Sequence, residues 1–299
     1  MIAKNYLATI LVTGANGQLA SEIKEISVLF PFYQFFFESR QELPINDERK
    51  LKMFFEKQQI DFCINCAAYT AVDKAEAEEE KAFEINADAV EKLSEICKAH
   101  QSKFIHVSTD YVYDGTQEIP LKEENSVAPL NIYGQSKLRG EELALKKNPE
   151  TLIIRTSWVY SSFGNNFVKT MLRLLTEKDA INVVSDQVGS PTYAADLASV
   201  IMYLIEKIEK GNNFSGIYNY CNEGITNWYE FAKAIKETAG LDCIINSVPT
   251  SAYKTAAQRP LYSVLNTEKI QEILEEKIPN WKDSLLKCLV KLDNANLIN

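Results

Sequence analysis

Tyr133 and Lys137 are four residues apart, and on a helix this spacing places a phenol and an ammonium group on one face. Such a pair could donate a proton to a substrate oxygen. Two further pairs in the chain have the same spacing: Tyr203/Lys207 and Tyr229/Lys233. Both lie in segments that are typical of ordinary amphipathic helices, so the spacing alone identifies nothing. The segments that precede Tyr133 in the chain distinguish it from the other two.

The first of these segments is a Gly-rich turn, Thr13-Gly-Ala-Asn-Gly-Gln-Leu-Ala20, between an apolar strand and a helix. A turn in this position can bind a pyrophosphate at the helix N-terminus. Gly14 would permit the tight turn, and Gly17 would let the backbone approach the phosphates without a Cβ in the way. Ala20 stands where a third glycine is usual, and only close packing is needed there. We predict that the turn binds a dinucleotide through Gly14, Gly17, Gln18 and Leu19.

The end of the second strand should lie near the adenosine ribose. An acidic residue there favours a free 2′-hydroxyl, whereas arginine accommodates a 2′-phosphate. The chain offers both, since Glu38 is followed by Ser39 and Arg40. A hydroxyl and a guanidinium suit a phosphate. We therefore predict NADPH through Ser39 and Arg40, with NADH as the open alternative.

Three further segments should meet the cofactor, because ligands of open α/β sheets bind beyond the carboxyl ends of the strands. Ala67, Ala68, Tyr69 and Thr70 follow the third strand, and their small members would let a cofactor lie close to the backbone. Ser108-Thr-Asp-Tyr111 follows the next strand. The helix with Tyr133 and Lys137 comes after it.

The acidity of a tyrosine side chain predicts different roles for Tyr133, Thr109 and Lys137. A free tyrosine has a pKa of ~10, and a neighbouring ammonium that favours the phenolate would bring this pKa closer to neutrality. Tyr133 would then protonate a substrate oxygen as it becomes an alkoxide. Thr109 would hydrogen-bond the same oxygen and align the carbonyl with the nicotinamide. Lys137 would tune Tyr133 and hold the ribose hydroxyls.

The elements that must position these residues alternate along the first half of the chain. Apolar runs typical of strands span 7–13, 33–37, 60–66, 103–108 and 151–156, and helical patterns span 47–59, 75–100 and 131–147. This order predicts a Rossmann-type doubly wound parallel sheet in an α/β fold. A later strand at 216–221 could return to that sheet.

The domain boundaries follow from where this alternation loosens. We predict a dinucleotide-binding domain from residues 1–158 with about 192–221. A smaller, interleaved lobe from 159–191 and 222–299 would bind the substrate.

Composition restricts the class of protein. The net charge of −9 argues against nucleic-acid binding, since phosphate backbones need a basic surface. Six scattered cysteines, no signal peptide and no apolar run near 18 residues favour a cytoplasmic protein with reduced thiols and no membrane partner. Cys63-x-x-Cys66 lies inside a strand-like run without a second ligand pair, so we interpret it as packing.

Taken together, the motifs resemble the extended short-chain dehydrogenase/reductase family and, within it, the dTDP-4-dehydrorhamnose reductases. The resemblance covers about nine-tenths of the chain, with the blocks in the family's order. It is carried by 14–19, 67–76, 108–113, 129–137, 155–160, 164–167, 186–192 and Arg259-Pro260.

This resemblance implies reduction of the 4-keto group of dTDP-4-dehydro-L-rhamnose to dTDP-L-rhamnose, the last step in making that donor for surface polysaccharide. The substrate would be a small sugar nucleotide, bound by Thr109, Asp110 and Trp158. Weaker candidates for contacts to the nucleotide or sugar are Asn166, Gln187 and Arg259. The resemblance also implies Mg²⁺ at a homodimer contact, with ligands that the sequence does not identify.

Departures from the family pattern keep some alternatives open. Pro44 stands where the family commonly has Asp, so cofactor preference stays open, and Asn266 stands where Asp is common. A 4,6-dehydratase would need an acid at position 111, which is Tyr. A 4-epimerase or another 4-keto-sugar reductase would share the Tyr-Lys pair, and the stereochemistry at C4 stays open. A non-catalytic regulatory subunit of methionine adenosyltransferase also resembles this family.

Overall fold

Alternating strands and helices build the molecule, and a computed structural model describes residues 7–297. The strands are β1 (Ala8–Thr13), β2 (Tyr33–Glu38), β3 (Phe62–Asn65), β4 (Lys103–Thr109), β5 (Leu152–Thr156), β6 (Val159–Tyr160), β7 (Ala180–Val184), β8 (Val188–Gly189), β9 (Thr192–Tyr193), β10 (Gly216–Asn219), β11 (Thr226–Asn227) and β12 (Ile244–Val248). The α-helices are α1 (Gln18–Ile26), α2 (Glu48–Gln58), α3 (Val72–Ala75), α4 (Glu79–Phe83), α5 (Ala89–Ala99), α6 (Ile132–Lys147), α7 (Phe167–Glu177), α8 (Ala194–Glu209), α9 (Trp228–Thr238), α10 (Glu268–Gln271) and α11 (Trp281–Leu297).

Six parallel strands form the main sheet in the order β10-β5-β4-β3-β1-β2. The chain starts in the middle of the sheet, adds β2 on one side, and then crosses back to β3 on the other side of β1. The strand order therefore reverses between β1 and β3. A crevice for ligands forms at the carboxyl ends of the strands at such a reversal.

Alternation along β1 shows that both faces of the sheet are covered. Ile10 and Val12 pack with α1 and α8 in one core, whereas Leu11 packs with α2 and α5 in another. All six residues of β1 are buried, as expected for a central parallel strand. The predicted doubly wound α/β fold is confirmed, and so is the return of the strand near 216, which forms the β10 edge.

A separate apolar core holds the second half of the chain together. Helices α7, α9 and α11 pack around Tyr160, Phe231 and Trp281. Short strand pairs border this core, with β12 parallel to β7, β9 parallel to β6, and β11 antiparallel to β8. This arrangement fits a smaller lobe beside the sheet, and the exact division of the chain into lobes stays a prediction.

The prediction of one continuous helix over 75–100 is wrong, because the helical structure is interrupted twice in this region. A turn at 76–78 separates α3 from α4, since the N–H groups of Ala77 and Glu78 both bond to the Lys74 carbonyl. A π-helical turn at Glu84–Asp88 then joins α4 to α5. Such wider turns occur often at functional sites. Here the turn contains Asn86, which is fully buried.

Within residues 7–297, no helix is both long enough and apolar enough to cross a membrane.

Candidate active site

A cavity of about 690 Å³ lies at the carboxyl ends of the main-sheet strands. It occupies the point where the strand order reverses, between β1 and β3. Nearly all the residues predicted to bind cofactor or substrate line it: Gly14, Gly17, Gln18, Leu19, Arg40, Ala67, Ala68, Tyr69, Thr70, Thr109, Asp110, Tyr133, Lys137 and Trp158. These residues come from six separate segments of the sequence, and the topology of the fold collects them in one place.

The Gly-rich turn at the floor of the cavity has the geometry of a phosphate site. Gly14 has φ +69°, and a Cβ there would lie 2.8 Å from both Cα and N of Ala67 at the end of β3. Gly17 is the N-cap of α1 and offers no side-chain oxygen to the first turn of that helix. The first amides of α1 therefore remain open to an anion, and the helix dipole favours negative charge at this end.

Asn86 fixes the loop that follows β3. Its Oδ1 accepts from the Tyr69 N–H at 2.8 Å, and its Nδ2 donates to the Tyr69 carbonyl and to Ser136 Oγ, both at 3.0 Å. Ser136 is on α6, between Tyr133 and Lys137. One buried amide thus ties the predicted cofactor loop to the helix that carries the Tyr-Lys pair. Our sequence analysis missed Asn86; the available signal was a polar side chain within an otherwise helical run.

Tyr133 and Thr109 come together as predicted. Asn131 caps α6 by accepting from the Gly134 N–H at 2.8 Å, and this places Tyr133 in the first turn of the helix. Burial raises the pKa of Tyr133 to about 12, although a hydrogen bond with Thr109 lowers it. The direction is opposite to the one expected from the sequence. Tyr133 is therefore a protonated acid at neutral pH.

Lys137 is directed toward the sheet behind Tyr133. Its Nζ donates to the Val107 carbonyl at 2.7 Å and lies 3.3 Å from His106 Nε2. Burial lowers the pKa of Lys137 to about 8, and Glu141 opposes this shift. These contacts explain why burial, not the ammonium, controls the acidity of Tyr133 in this structure.

The strand end at Ser108 and Asp110 leaves polar atoms available to a ligand. Asp110 Oδ1 accepts from Thr109 Oγ1 at 3.1 Å. Ser108 Oγ and Asp110 Oδ2 are buried and, in the part of the chain that is described, have no hydrogen-bond partner of ordinary geometry. The Ser263 hydroxyl also interacts with the Asp110 carboxyl group and lowers its pKa. Burial raises the pKa of Asp110 to about 6. Buried polar atoms without partners cost free energy, so a ligand that supplied partners would be bound by them.

Trp158 forms one wall of the cavity in an unusual conformation. Its φ is +47°, a region that bulky residues rarely occupy. Its indole stacks on that of Trp228, with ring centroids 3.6 Å apart and planes 10° apart. On another side, a Cβ at Gly189 would lie 2.7 Å from Cε2 and Cζ2 of the indole. Backbone strain that persists among such contacts is typical of functional sites.

Of the two residues predicted to bind a 2′-phosphate, only Arg40 lines the cavity. Arg40 is exposed. Ser39 is buried outside the cavity wall, and both its N–H and its hydroxyl bond to Glu42, whose Oε2 lies 2.9 Å from the Ser39 N. A phosphate would have to take the place of Glu42 to reach the Ser39 hydroxyl.

The three weaker candidates have partners within the protein. Asn166 caps α7, accepting from the Lys169 N–H, and donates to Gln18 Oε1 at 2.9 Å. Arg259 forms two bonds with the Asp73 carboxylate, at 3.1 and 2.8 Å. Gln187 Nε2 donates to Thr250 Oγ1 at 3.1 Å. None of the three is part of the cavity wall.

The two competing Tyr-Lys pairs lie elsewhere. Lys207 Nζ is 5.1 Å from the centre of the Tyr203 ring, and Lys233 Nζ is 5.5 Å from that of Tyr229. These are cation–π contacts on helices outside the cavity. The environment, and not the spacing, therefore separates Tyr133 from the others.

Among the described side chains, no group of three or more His, Cys, Asp or Glu residues could hold a metal ion. Cys63 is buried in β3, in agreement with a packing role, whereas Cys66 is half-buried after that strand and lines the cavity. Mg²⁺ at a dimer contact stays a prediction.

Comparison with known proteins gives a consistent result. The family model of the RmlD substrate binding domain matches residues 8–294. A dTDP-4-dehydrorhamnose reductase of Aggregatibacter actinomycetemcomitans is 39% identical over 286 residues, 93% of this chain and 97% of the relative. The spore coat polysaccharide biosynthesis protein SpsK of Bacillus subtilis is 38% identical over 97% of this chain and 99% of its own.

A solved structure agrees with these relatives. The dTDP-4-dehydrorhamnose reductase of Bacillus anthracis, in complex with NADP, superposes with a TM-score of 0.88 at 34% identity, over 95% of this chain and 99% of that chain. This chain belongs to the dTDP-4-dehydrorhamnose reductase family.

Proposed function

We propose that this protein reduces the 4-keto group of dTDP-4-dehydro-L-rhamnose to give dTDP-L-rhamnose, with NADPH as the reductant. The observation that carries the proposal is the contact between Thr109 and Tyr133, beside Lys137, in a cavity at the strand-order reversal. A relative that is 39% identical to this chain bears the name of this reductase. The name of the Bacillus subtilis relative supports a product used for polysaccharide.

The cavity suits a dinucleotide. Because Gly14 lacks a Cβ, the turn packs directly against the backbone of Ala67 after β3, and the uncapped start of α1 offers amides to a pyrophosphate. When bound, NADPH supplies the hydride that reduces the carbonyl carbon. The NADP complex of the Bacillus anthracis relative favours the phosphorylated cofactor, and Arg40 is the side chain best suited to its 2′-phosphate.

The residues of this chain would complete the reaction by handling the proton. Thr109 and Tyr133 would both hydrogen-bond the carbonyl oxygen and hold it in place. As that oxygen gains negative charge, Tyr133 would donate its proton. The ammonium of Lys137 would stabilise the phenolate that results. Because the pKa of Tyr133 is about 12, nearly all of the enzyme holds this proton at neutral pH.

The sugar would lie against Trp158 and above the end of β4. The unpaired Ser108 Oγ and Asp110 Oδ2 are suited to bind sugar hydroxyls. The flat indole of Trp158 is suited to pack against the sugar ring. The NADPH preference, the sugar contacts and the configuration at C4 are all parts of this proposal.

A dehydratase is disfavoured by Tyr111. In that class an acid follows the aspartate, whereas here an aromatic ring packs edge-on against Tyr133, with centroids 5.6 Å apart. A phenol whose pKa is raised above its ordinary value by burial is a poor acid for eliminating water. A 4-epimerase would recycle bound NAD⁺ and consume no reductant. A regulatory subunit would need neither a paired Thr-Tyr nor a buried lysine.

The direct test supplies dTDP-4-dehydrorhamnose, made from dTDP-glucose by the upstream enzymes, and follows the absorbance of NADPH and NADH separately. We expect stoichiometric consumption of NADPH and formation of dTDP-L-rhamnose. Failure to consume either cofactor would refute the reductase.

Tyr133→Phe tests the proton donor. It should reduce kcat by about 10²- to 10⁴-fold and leave the Kd of NADPH nearly unchanged, since the phenol acts on the reacting oxygen. The matched control is Tyr229→Phe, which removes the phenol of a pair with the same Tyr-Lys spacing outside the cavity. Equal activity in Tyr133→Phe and the wild type would contradict the mechanism.

A further inference from the structure

A carboxylate of the protein occupies two hydrogen-bond donors that follow the end of β2. The Ser39 N–H donates to Glu42 Oε2 at 2.9 Å, and the Ser39 hydroxyl bonds to the same carboxylate. Two donors that converge on one carboxylate are also suited to a phosphate, whose oxygen atoms accept charge-assisted hydrogen bonds in the same way. Glu42 therefore takes the place that an anionic ligand could have beside Ser39.

These two donors lie at the end of the cavity where the adenosine ribose is expected. The Ala15 N–H in the Gly-rich turn donates to the Glu38 carbonyl at 3.1 Å, and Ser39 is the next residue after Glu38. Arg40, which follows Ser39, lines the cavity. In open α/β folds the end of the second strand meets the 2′ position of the ribose. The Ser39 donors are therefore close to the expected position of the 2′-phosphate of NADPH.

Glu42 is ionised, and a second carboxylate lies close to it. The bonds from Ser39 hold the pKa of Glu42 below its ordinary value, and the Lys24 ammonium on α1 adds to this effect. Burial raises the pKa of Glu38, and the negative charge of Glu42 raises it further. Repulsion of this kind acts between groups that are near each other. A phosphate at Ser39 would therefore meet one negative charge in its own position and another beside it.

NADPH and NADH respond differently to this arrangement. A phosphate monoester carries a charge of about −1.5 to −2 at neutral pH. To reach Ser39, the 2′-phosphate must displace the Glu42 carboxylate and then remain near it, against the repulsion between like charges. The 2′-hydroxyl of NADH is neutral and has no need of the Ser39 donors. Glu42 should therefore weaken the binding of NADPH and leave the binding of NADH nearly unaffected.

We propose that Glu42 is a specificity-determining residue, an internal anion that competes with the 2′-phosphate and narrows the preference for NADPH over NADH. This inference rests on the proposed function for the identity of the cofactor. Arg40 and Lys24 supply positive charge that favours the phosphate, and Glu42 opposes it. The residues Ser39 and Arg40 by themselves favour NADPH, whereas the contact between Ser39 and Glu42 acts in the other direction.

The test measures the Kd of NADPH and of NADH for the full-length protein by cofactor fluorescence, without the sugar substrate. Glu42→Gln keeps an oxygen that can accept from the Ser39 N–H but removes the charge. In this variant the Kd of NADPH should fall by about threefold to tenfold, whereas that of NADH should change by less than about twofold. In Glu42→Ala the fall for NADPH should be at least as large, because both Ser39 donors become available.

Two further measurements identify charge at the 2′ position as the cause. The difference between Glu42→Gln and the wild type should shrink as salt rises from about 0.05 M to about 0.5 M, because salt screens the repulsion between exposed charges. Adenosine 2′,5′-bisphosphate and adenosine 5′-monophosphate differ only in the 2′-phosphate. As competitors of the cofactor, they should reproduce the difference between NADPH and NADH.

The matched control is Glu84→Gln. Glu84 accepts from Asn46 Nδ2 at 2.7 Å, and Asn46 lines the cavity, so this variant removes an equal charge near the cavity and leaves the contact between Ser39 and Glu42 in place. It should leave the ratio of the two Kd values unchanged within about twofold. The same ratio in both Glu42 variants and the wild type would overturn the proposal. An equal change in Glu84→Gln, or weaker binding of NADPH by Glu42→Ala, would also overturn it.

The outcomes for Glu42 and for the reductase function are distinguishable. A wild-type protein that binds NADPH and NADH but does not reduce dTDP-4-dehydrorhamnose would refute the reductase, while the Kd values would still decide the role of Glu42. An active reductase whose Kd ratio is unaffected by both Glu42 variants would refute the role of Glu42 alone. A wild-type protein that binds neither dinucleotide would refute both.

Discussion

Gly189→Ala should displace the indole of Trp158 and thereby weaken catalysis without touching the cofactor. The added Cβ would lie 2.7 Å from Cε2 and Cζ2 of that indole. Carbon atoms normally approach to about 3.5–4.0 Å, so the ring must move by about 1 Å. Trp228 limits retreat in one direction, because its ring is already stacked with centroids 3.6 Å apart. The ring must therefore shift along the cavity wall.

The expected magnitude follows from this displacement. A misplacement of about 1 Å in a site that orients substrate can reduce the rate about 10²-fold. We expect kcat/KM for dTDP-4-dehydrorhamnose to fall by about this factor, whereas the Kd of NADPH, measured by fluorescence, should stay unchanged. The three atoms nearest to a Cβ at Gly189 all belong to Trp158, and none belongs to the cofactor turn at Gly14 and Gly17.

The matched control is Gly224→Ala. A Cβ at Gly224 would lie 2.8 Å from Cδ1 of Trp281, so this variant also presses a methyl group against an indole in the same lobe. The φ of +103° at Gly224 adds backbone strain, so the control should lose more stability than Gly189→Ala. Trp281 is not part of the main cavity wall. The control should lose stability but keep its kcat/KM. A folded Gly189→Ala protein with wild-type kcat/KM, or an equal loss in both variants, would refute a role for the position of Trp158.

Two further predictions concern stability. Glu141→Gln should lower the free energy of unfolding by about 3–5 kcal/mol in urea titration, because it leaves the buried Arg155 without the carboxylate that now lies 2.6 Å from Nη2. The control Glu142→Gln removes an exposed partner of Arg139 and should lower it by less than about 1 kcal/mol. Similar losses in the two variants would contradict the importance of the buried ion pair. Asp110 has its pKa raised from 3.8 to about 6, so it holds its proton to higher pH in the folded state than in the unfolded state. Stability from this group is therefore greatest below about pH 4 and is lost as pH rises through 6, by about 3 kcal/mol in total. Asp110→Asn should remove this part of the pH dependence, and parallel stability curves for the two proteins would contradict it.

The sequence predicted the sheet well because the strands are short apolar runs between turn residues. β1 and β3 are buried at every position and most of their residues are apolar, whereas four of the seven residues of β4 are polar. The exceptions carried information that we did not use. Thr13 and Asn65 are polar residues at the ends of β1 and β3, whereas His106 lies in the middle of β4. Only the register of the strands shows that the three form one row.

The site was predicted where one segment determines the geometry and missed where tertiary contacts determine it. The Gly-rich turn depends on residues adjacent in the chain, so Gly14 and Gly17 could be identified directly. The pKa of Tyr133 depends on burial by the whole fold, and the sequence led to the opposite direction. Asn166 and Arg259 were predicted as weaker candidates for contacts to the nucleotide or sugar, but their observed partners, Gln18 and Asp73, are distant in the chain.

The π turn at Glu84–Asp88 imposes a requirement on chain length. An α-helix advances by about 100° per residue, and a π turn accommodates one residue more than an α turn. Deleting one residue there would restore α-helical winding and rotate Asn86 away from Tyr69 and Ser136, which its amide now joins. Variants or relatives can therefore change the side chains of this turn more readily than they can change its number of residues.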